Sequence, residues 1–176
     1  MTALVAPDTA RWKQWAAMIE DFDGVEEMHG SGYWQLEGPP VPTQAGCDAY
    51  VTMTEVTSTA DLDGTRVAST YFWIAADDGR PDDELVGFLH LRHTLNAWLL
   101  EQGGHIGYGV KPSARRQGHA SRALALGVRA AAGLGLDRVL VTCEADNEAS
   151  RRTILSGGGV LEDERDGKLR FWIPTA

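Results

Sequence analysis

The stretch Val110 to Val128, VKPSARRQGHASRALALGV, constrains this chain more than any other. It leaves an apolar segment, sets two arginines side by side, adds a glycine and runs into an alanine- and leucine-rich segment. Such a turn ends a strand and begins a helix. The first turn of any helix presents unpaired backbone N–H groups and partial positive charge. Gly118 lets a ligand approach without meeting a Cβ, and Arg115 and Arg116 add formal charge. Together these form a seat suited to a diphosphate. The pattern is neither G-x-x-x-x-G-K-[ST] nor G-x-G-x-x-G, so those two nucleotide-binding loops are excluded. Within the helix, Ala120, Leu124, Val128 and Ala131 share a face for packing on a sheet, while Arg122 and Arg129 share another.

Elements on either side read in order. ALVAP, at 3–7, suits a short strand. From Asp8 or Thr9, both good N-caps, Trp12, Trp15, Ala16 and Ile19 follow helical spacing. An acidic, glycine-punctuated stretch and a proline-rich loop follow, then Tyr50, Met53 and Val56 suggest a short helix, and 60–64 reads as a turn. RVASTYFWIA at 66–75 and ELVGFLHLRH at 84–93 form a hairpin across a polar turn. Strand 104–110, helix 116–132, strand 138–143, helix 147–155 and strand 169–173 complete the chain. Gly157, Gly158 and Gly159 stop the last helix. The expected fold class is α/β (α+β), a single domain with a mixed sheet flanked by helices. The six tryptophans are expected mostly in the core, with Trp34 and Tyr33 set apart from them.

The 176 residues suffice for one domain with a full core. A net charge of −9 argues against general nucleic-acid binding. The charge is uneven: residues 1–88 hold 16 acidic and 4 basic side chains, whereas residues 89–176 hold 9 and 12. An acidic half beside a basic half suits a cationic substrate beside an anionic cofactor, or simply a solvated surface. No secretory signal or membrane-spanning run is expected from these residues. Cys47 and Cys143 follow no metal-ligand spacing, and a reducing cytoplasm suits them. His90, His93 and His105 lack a convergent carboxylate, so no metal site is expected.

The motif at 110–120 resembles motif A of the GNAT superfamily of N-acetyltransferases, [QR]-x-x-G-x-[GA] after a strand ending V-x-P. Val110, Lys111 and Pro112 are followed by Arg115, Gly118 and Ala120 in register. VLVTCEADNEASRRTILSGGGVLED is similar to the family's next strand and helix, with Asn147 opening the helix and Ser150 three residues later. The likeness spans about 84–173. FLHLRHTLN and the closing RFWI further resemble a bacterial subgroup of predicted acetyltransferases. The resemblance implies one GNAT domain over 1–176, mostly antiparallel and splayed between its two central strands, with 1–83 on the acceptor side and 84–176 binding acetyl-CoA. It implies that the pantetheine arm of acetyl-CoA pairs with the strand carrying Tyr108 and Val110, and that a backbone N–H near Val110 polarises the thioester carbonyl. The diphosphate would sit over the amides of Arg116, Gln117, Gly118, His119, Ala120 and Ser121. Arg115, Arg122 or Arg151 would meet the 3′-phosphate, and Asn147 and Ser150 would border the cofactor.

Amine acetylation needs a deprotonated amine and a thiolate that leaves, ideally taking a proton. The family's usual acid, a tyrosine seven residues after the asparagine, falls on Ile154, which cannot donate. Ser150 is the nearest hydroxyl, either a donor to the sulfur or a packing contact. For the base there are three candidates. His105 stands at the start of the strand, Glu144 could act through a water, and Tyr108 titrates far above neutral. Asp21, Asp23, Glu26 and Glu27 could attract a cationic amine. His90 and Arg92 share one strand face and read as structural or substrate-facing. The expected partner is a small-molecule amine, with no nucleic acid or membrane and with a homodimer left open. The alternatives are a non-catalytic acyl-CoA-binding module and an acetyltransferase of protein N-termini or lysines.

Overall fold

The computed structural model describes residues 1–61 and 64–176. The expected turn at 60–64 includes 62 and 63 and so lies partly outside the described residues. The elements run β1 (Thr2–Val5), α1 (Trp12–Glu20), α2 (Gln44–Val56), β2 (Ser69–Ala76), β3 (Leu85–Arg92), β4 (Ile106–Val110), α3 (His119–Gly133), β5 (Arg138–Glu144), α4 (Glu148–Ser156), β6 (Val160–Arg165) and β7 (Lys168–Pro174). Two antiparallel sheets result, one ordered β1-β2-β3-β4 and the other β5-β7-β6.

Local chemistry explains most of the boundaries. Asp8 accepts from the Ala10 amide and opens a 3₁₀ turn before α1. Thr43 caps α2 through the Gly46 amide, so that helix starts earlier than its apolar residues suggest. Asn147 accepts from the Ser150 amide at 3.0 Å and caps α4 as the sequence implies. Strand β6 escapes sequence reading because VLEDER is an edge strand with no buried side chain, so it shows no apolar alternation.

Two apolar layers sandwich the first sheet. On one face Leu89, Leu91 and Ile106 pack with Leu124 and Ala131 of α3 and with Val139, Val141 and Phe171 of the second sheet. On the other, Trp73 and Phe88 pack with Trp15 and Met18 of α1 and Tyr50 of α2. β3 is buried along its whole length, as befits a central strand covered on both faces. The inner face of α3 also includes Ala123 and Gly127; a Cβ on Gly127 would come 3.1 Å from Leu89, so the helix lies close on the sheet. Trp15 and Trp73 are fully buried, but Trp34 and Trp98 are exposed, so the tryptophans are less uniformly core than expected.

Candidate active site

β4 and β5 are edges of separate sheets, and one side chain joins them. The His105 amide donates to the Leu140 carbonyl at 2.7 Å, and the Leu140 amide donates back to Nδ1 of the His105 ring at 2.9 Å. Gly104, at φ +64°, passes so near that a Cβ there would lie 2.6 Å from the Leu140 oxygen. Beyond this clasp no ladder links the two strands among the described residues. The Lys111 amide donates to Val86, and the β3–β4 register pairs Gly107 with His90 and Gly109 with Phe88. Antiparallel alternation therefore turns the backbone groups of Tyr108 and Val110 away from β3, into the opening. The Val110 carbonyl accepts from Arg115 Nε at 3.1 Å.

This placement corrects the expectation for His105. The ring is buried, its Nδ1 lone pair is taken by an amide, and the other nitrogen carries the proton of the neutral ring. Burial, aided by the nearby Arg92 charge, lowers its pKa to about 4. With no free lone pair His105 is a structural clasp, not a general base. Glu144 lies at the far end of β5, exposed and ion-paired with Lys168, so the structure does not bring it together with His105.

Hydroxyl groups converge on the opening instead. Tyr108 Oη lies 3.1 Å from Ser150 Oγ, tying β4 to α4. Burial pushes the Tyr108 phenol up to about 12, against a smaller opposing effect of the Ser150 contact. The Cys143 thiol of β5 is buried nearby, its pKa raised by burial and lowered in lesser part by Ser150. Ile154 is fully buried in the core, so the usual tyrosine position points into packing.

The turn after β4 has the form of an anion cradle. Arg116 (φ 61°) and Gly118 (φ 82°) both take left-handed backbone, and no side chain caps α3 among the described residues. Arg122 folds back so that its Nη1 donates to the Gln117 carbonyl at 3.0 Å; a Cβ on Gly118 would come 3.2 Å from that guanidinium. The free helix amides, the missing Cβ and Arg122 together fit a diphosphate. Arg116, Gln117 and Ser121 are exposed there and Ala120 is half-buried. Two expectations change. His119 is buried and its Nδ1 pairs with Thr2 Oγ1 at 2.9 Å, so only its amide can serve a ligand. Arg115 is held by Val110 and by Glu27 at 3.2 Å, so its guanidinium would reach a 3′-phosphate only by leaving Glu27. Arg151 lies 3.8 Å from Glu148.

Residues 43–155, well over half the chain, match the family described as Acetyltransferase (GNAT). The chain is a GNAT acetyltransferase family member. Among solved structures, Mycobacterium smegmatis RimJ in complex with CoA-disulfide superposes with a TM-score of 0.68 at 20% identity, covering 98% of this chain and 81% of that one. The ribosomal-protein-S5-alanine acetyltransferase from Vibrio fischeri gives 0.65 at 13% identity, with coverages of 99% and 92%. The microcin C7 self-immunity acetyltransferase MccE, in complex with acetyl-CoA and AMP, gives 0.62 at 12%, with 98% and 92%. At these identities the likeness is one of fold. No curated protein matches the chain by sequence.

Within this GNAT fold two of the four acidic residues that could attract a cationic amine are already paired. Asp21 accepts from the Ser113 amide and hydroxyl and lies 3.5 Å from Lys111 Nζ, and Glu27 holds Arg115. Both therefore secure the β4–α3 turn, while Asp23 and Glu26 are exposed. The loop then crosses β4 backbone to backbone: Cβ atoms on Gly30 and Gly109 would come 2.5 and 2.7 Å from the carbonyls of Gly107 and His29. Sequence reading missed Cys143 and Trp98 as site neighbours, since neither carries a periodic or motif signal. Its one available sign of Arg92 was a charged residue in a central strand.

Proposed function

We infer that this GNAT protein transfers the acetyl group of acetyl-CoA to a primary amine of a small molecule, with both partners bound together. The observation that carries this reading is the open edge at Tyr108 and Val110, which leads directly into the uncapped turn at Gly118. Two solved relatives hold CoA compounds by their descriptions, which supports the same cofactor here. Bound there, acetyl-CoA would supply the acyl group as an activated thioester. The amides at 116–121, with Arg116 and Arg122, would hold its diphosphate, and the outward-facing amides of Tyr108 and Val110 would be the donors available to polarise its carbonyl.

Tyr108 keeps its proton at neutral pH and would give it to the departing thiolate, the second proton of the attacking nitrogen restoring the phenol; its contact with Ser150 holds the ring in place, and this pair would serve in place of the tyrosine that Ile154 replaces. With His105 occupied, the acceptor amine loses its proton to water. kcat/KM then climbs with pH towards the acceptor's own ammonium pKa, without a bend from His105. Release of free CoA thiol across a panel of amines, followed against pH, tests the assignment: acetyl-CoA that binds but yields no thiol with any amine would refute catalysis. The Vibrio fischeri relative's description as a ribosomal-protein acetyltransferase favours a second reading, a protein N-terminus as acceptor, and peptide amines in the same panel distinguish it.

A further inference from the structure

We propose that a cavity behind the His105 clasp is the acceptor site, and that it takes an amine whose molecule also bears a carboxylate and an apolar body, the amino-acid class, with Arg92 as carboxylate anchor. The proposal rests on the acetyl-transfer reading above and narrows its substrate. The cavity measures about 210 Å³, and Trp34, Tyr71, His90, Arg92 and Trp98 are among its walls. That volume lies below the range usual for drug-sized ligands and leaves room only for a small molecule.

Its position fits direct transfer. Phe88 belongs to the layer of α1 and α2, and Leu89 and Leu91 to the layer of α3, so alternation along β3 places His90 and Arg92 on the α1/α2 face. The acceptor would therefore reach β4 from the face opposite the diphosphate turn. Arg92 also belongs to the clasp. Its amide donates to the His105 carbonyl at 2.8 Å, and its Nη1 donates to the carbonyls of Gly103 and Gly104, each at 3.1 Å. Gly107, paired with His90 across the ladder, has no side chain; a Cβ there would lie 3.6 Å from the Gly30 backbone and 3.9 Å from Arg92 Nη1.

Its chemistry asks for an anion. Arg92 is 7% exposed and, among the described residues, pairs with no carboxylate. No Asp or Glu lines the cavity among those residues. A buried cation with only neutral partners is costly, and an incoming carboxylate relieves it. Burial lowers the guanidinium pKa to about 10, in keeping with an unmet demand for negative charge. His90, stacked on Tyr71 at 4.1 Å, adds two buried ring nitrogens without partners. Trp34 and Trp98, 53% and 63% exposed, supply the apolar walls. Of the acidic residues that could have attracted a polyamine, Asp21 and Glu27 are committed to Ser113, Lys111 and Arg115.

Two measurements test this. Acetylation of L-phenylalanine, L-phenylalaninamide and phenethylamine by the unaltered protein should show kcat/KM falling roughly thirtyfold or more once the carboxylate is masked or removed. Equal or better use of the amide or the bare amine would overturn the proposal. Separately, 3-phenylpropionate, which has a carboxylate and no amine, should saturably change the fluorescence of Trp34 and Trp98 without any coenzyme, and Arg92→Gln should abolish the change. No saturation with the unaltered protein would also overturn it. If Arg92→Gln fails to fold, Trp98→Ala at the exposed rim should weaken the same titration, and an unchanged titration counts against the site. Binding of 3-phenylpropionate alongside absent acetyl-CoA binding would refute the acetyl-transfer reading while leaving this carboxylate pocket standing.

Discussion

At the scale of single residues, the site depends on which atoms already have partners. Tyr108 and Ser150 are neutral, mutually oriented hydroxyls at the opening. Tyr108→Phe should lower kcat by roughly a hundredfold, the usual worth of a positioned proton donor, with acetyl-CoA affinity little changed in calorimetry; an unaltered kcat would remove Tyr108 from the chemistry. His105 makes a different prediction. Buried, it stays neutral down to about pH 4, while in the unfolded chain it takes up a proton near its ordinary value of ~6.5. The unfolded state therefore binds more protons in that window, so stability is complete above about pH 6.5 and declines as pH falls towards 4. His90, shifted in the same direction by burial, adds to the decline. The urea midpoint should drop between pH 7 and pH 5, and drop less in His105→Asn, whose amide oxygen can accept from Leu140 without titrating. An identical drop in the variant would contradict the clasp. Sequence could not reveal this role because Leu140 lies 35 positions away, and a histidine at a strand start looks the same whether it faces a substrate or a second strand.

At the scale of elements, β4, the turn and α3 were legible because glycine, paired arginines and the alanine–leucine period agree locally. The order strand, cradle, helix, strand, capped helix followed from residues 104–155 alone. Other parts left weaker traces. β6 carries charges on an exposed edge, and the π-helical turn Leu99–Gly103 is anchored by the buried Arg170, whose Nε donates to the Leu100 carbonyl at 3.0 Å. Both depend on distant partners that no local pattern announces. The cradle itself makes a direct prediction. Gly118→Glu puts a carboxylate where a diphosphate would rest and a side chain on left-handed backbone. The variant should lose about 1 kcal/mol of stability and most of the rise in melting temperature that acetyl-CoA gives the unaltered protein. A preserved rise would move the diphosphate elsewhere.

At the scale of the whole molecule, the uneven charge of the two halves has a structural use. Acidic side chains from the N-terminal half reach across to the basic turn: Asp21 and Glu84 to Lys111, and Glu27 to Arg115. The Glu27–Arg115 pair is substantially exposed, and pairs of that kind contribute at most about 1 kcal/mol each. Their value lies in orienting the turn and the loop that crosses β4. Among the described residues no ladder joins the two sheets beyond the clasp, and the proposed cofactor and acceptor positions lie on the α3 side and the α1/α2 side of the opening. Glu27→Gln should release Arg115 and lower the urea midpoint slightly in low salt, with the difference fading as salt rises; a salt-independent effect would point to packing instead. The most direct measurement is isothermal titration of the purified protein with acetyl-CoA. Saturable binding of one molecule per chain is predicted, and absence of both heat and saturation with acetyl-CoA and with CoA would contradict a cofactor seat between β4, the Gly118 turn and α3.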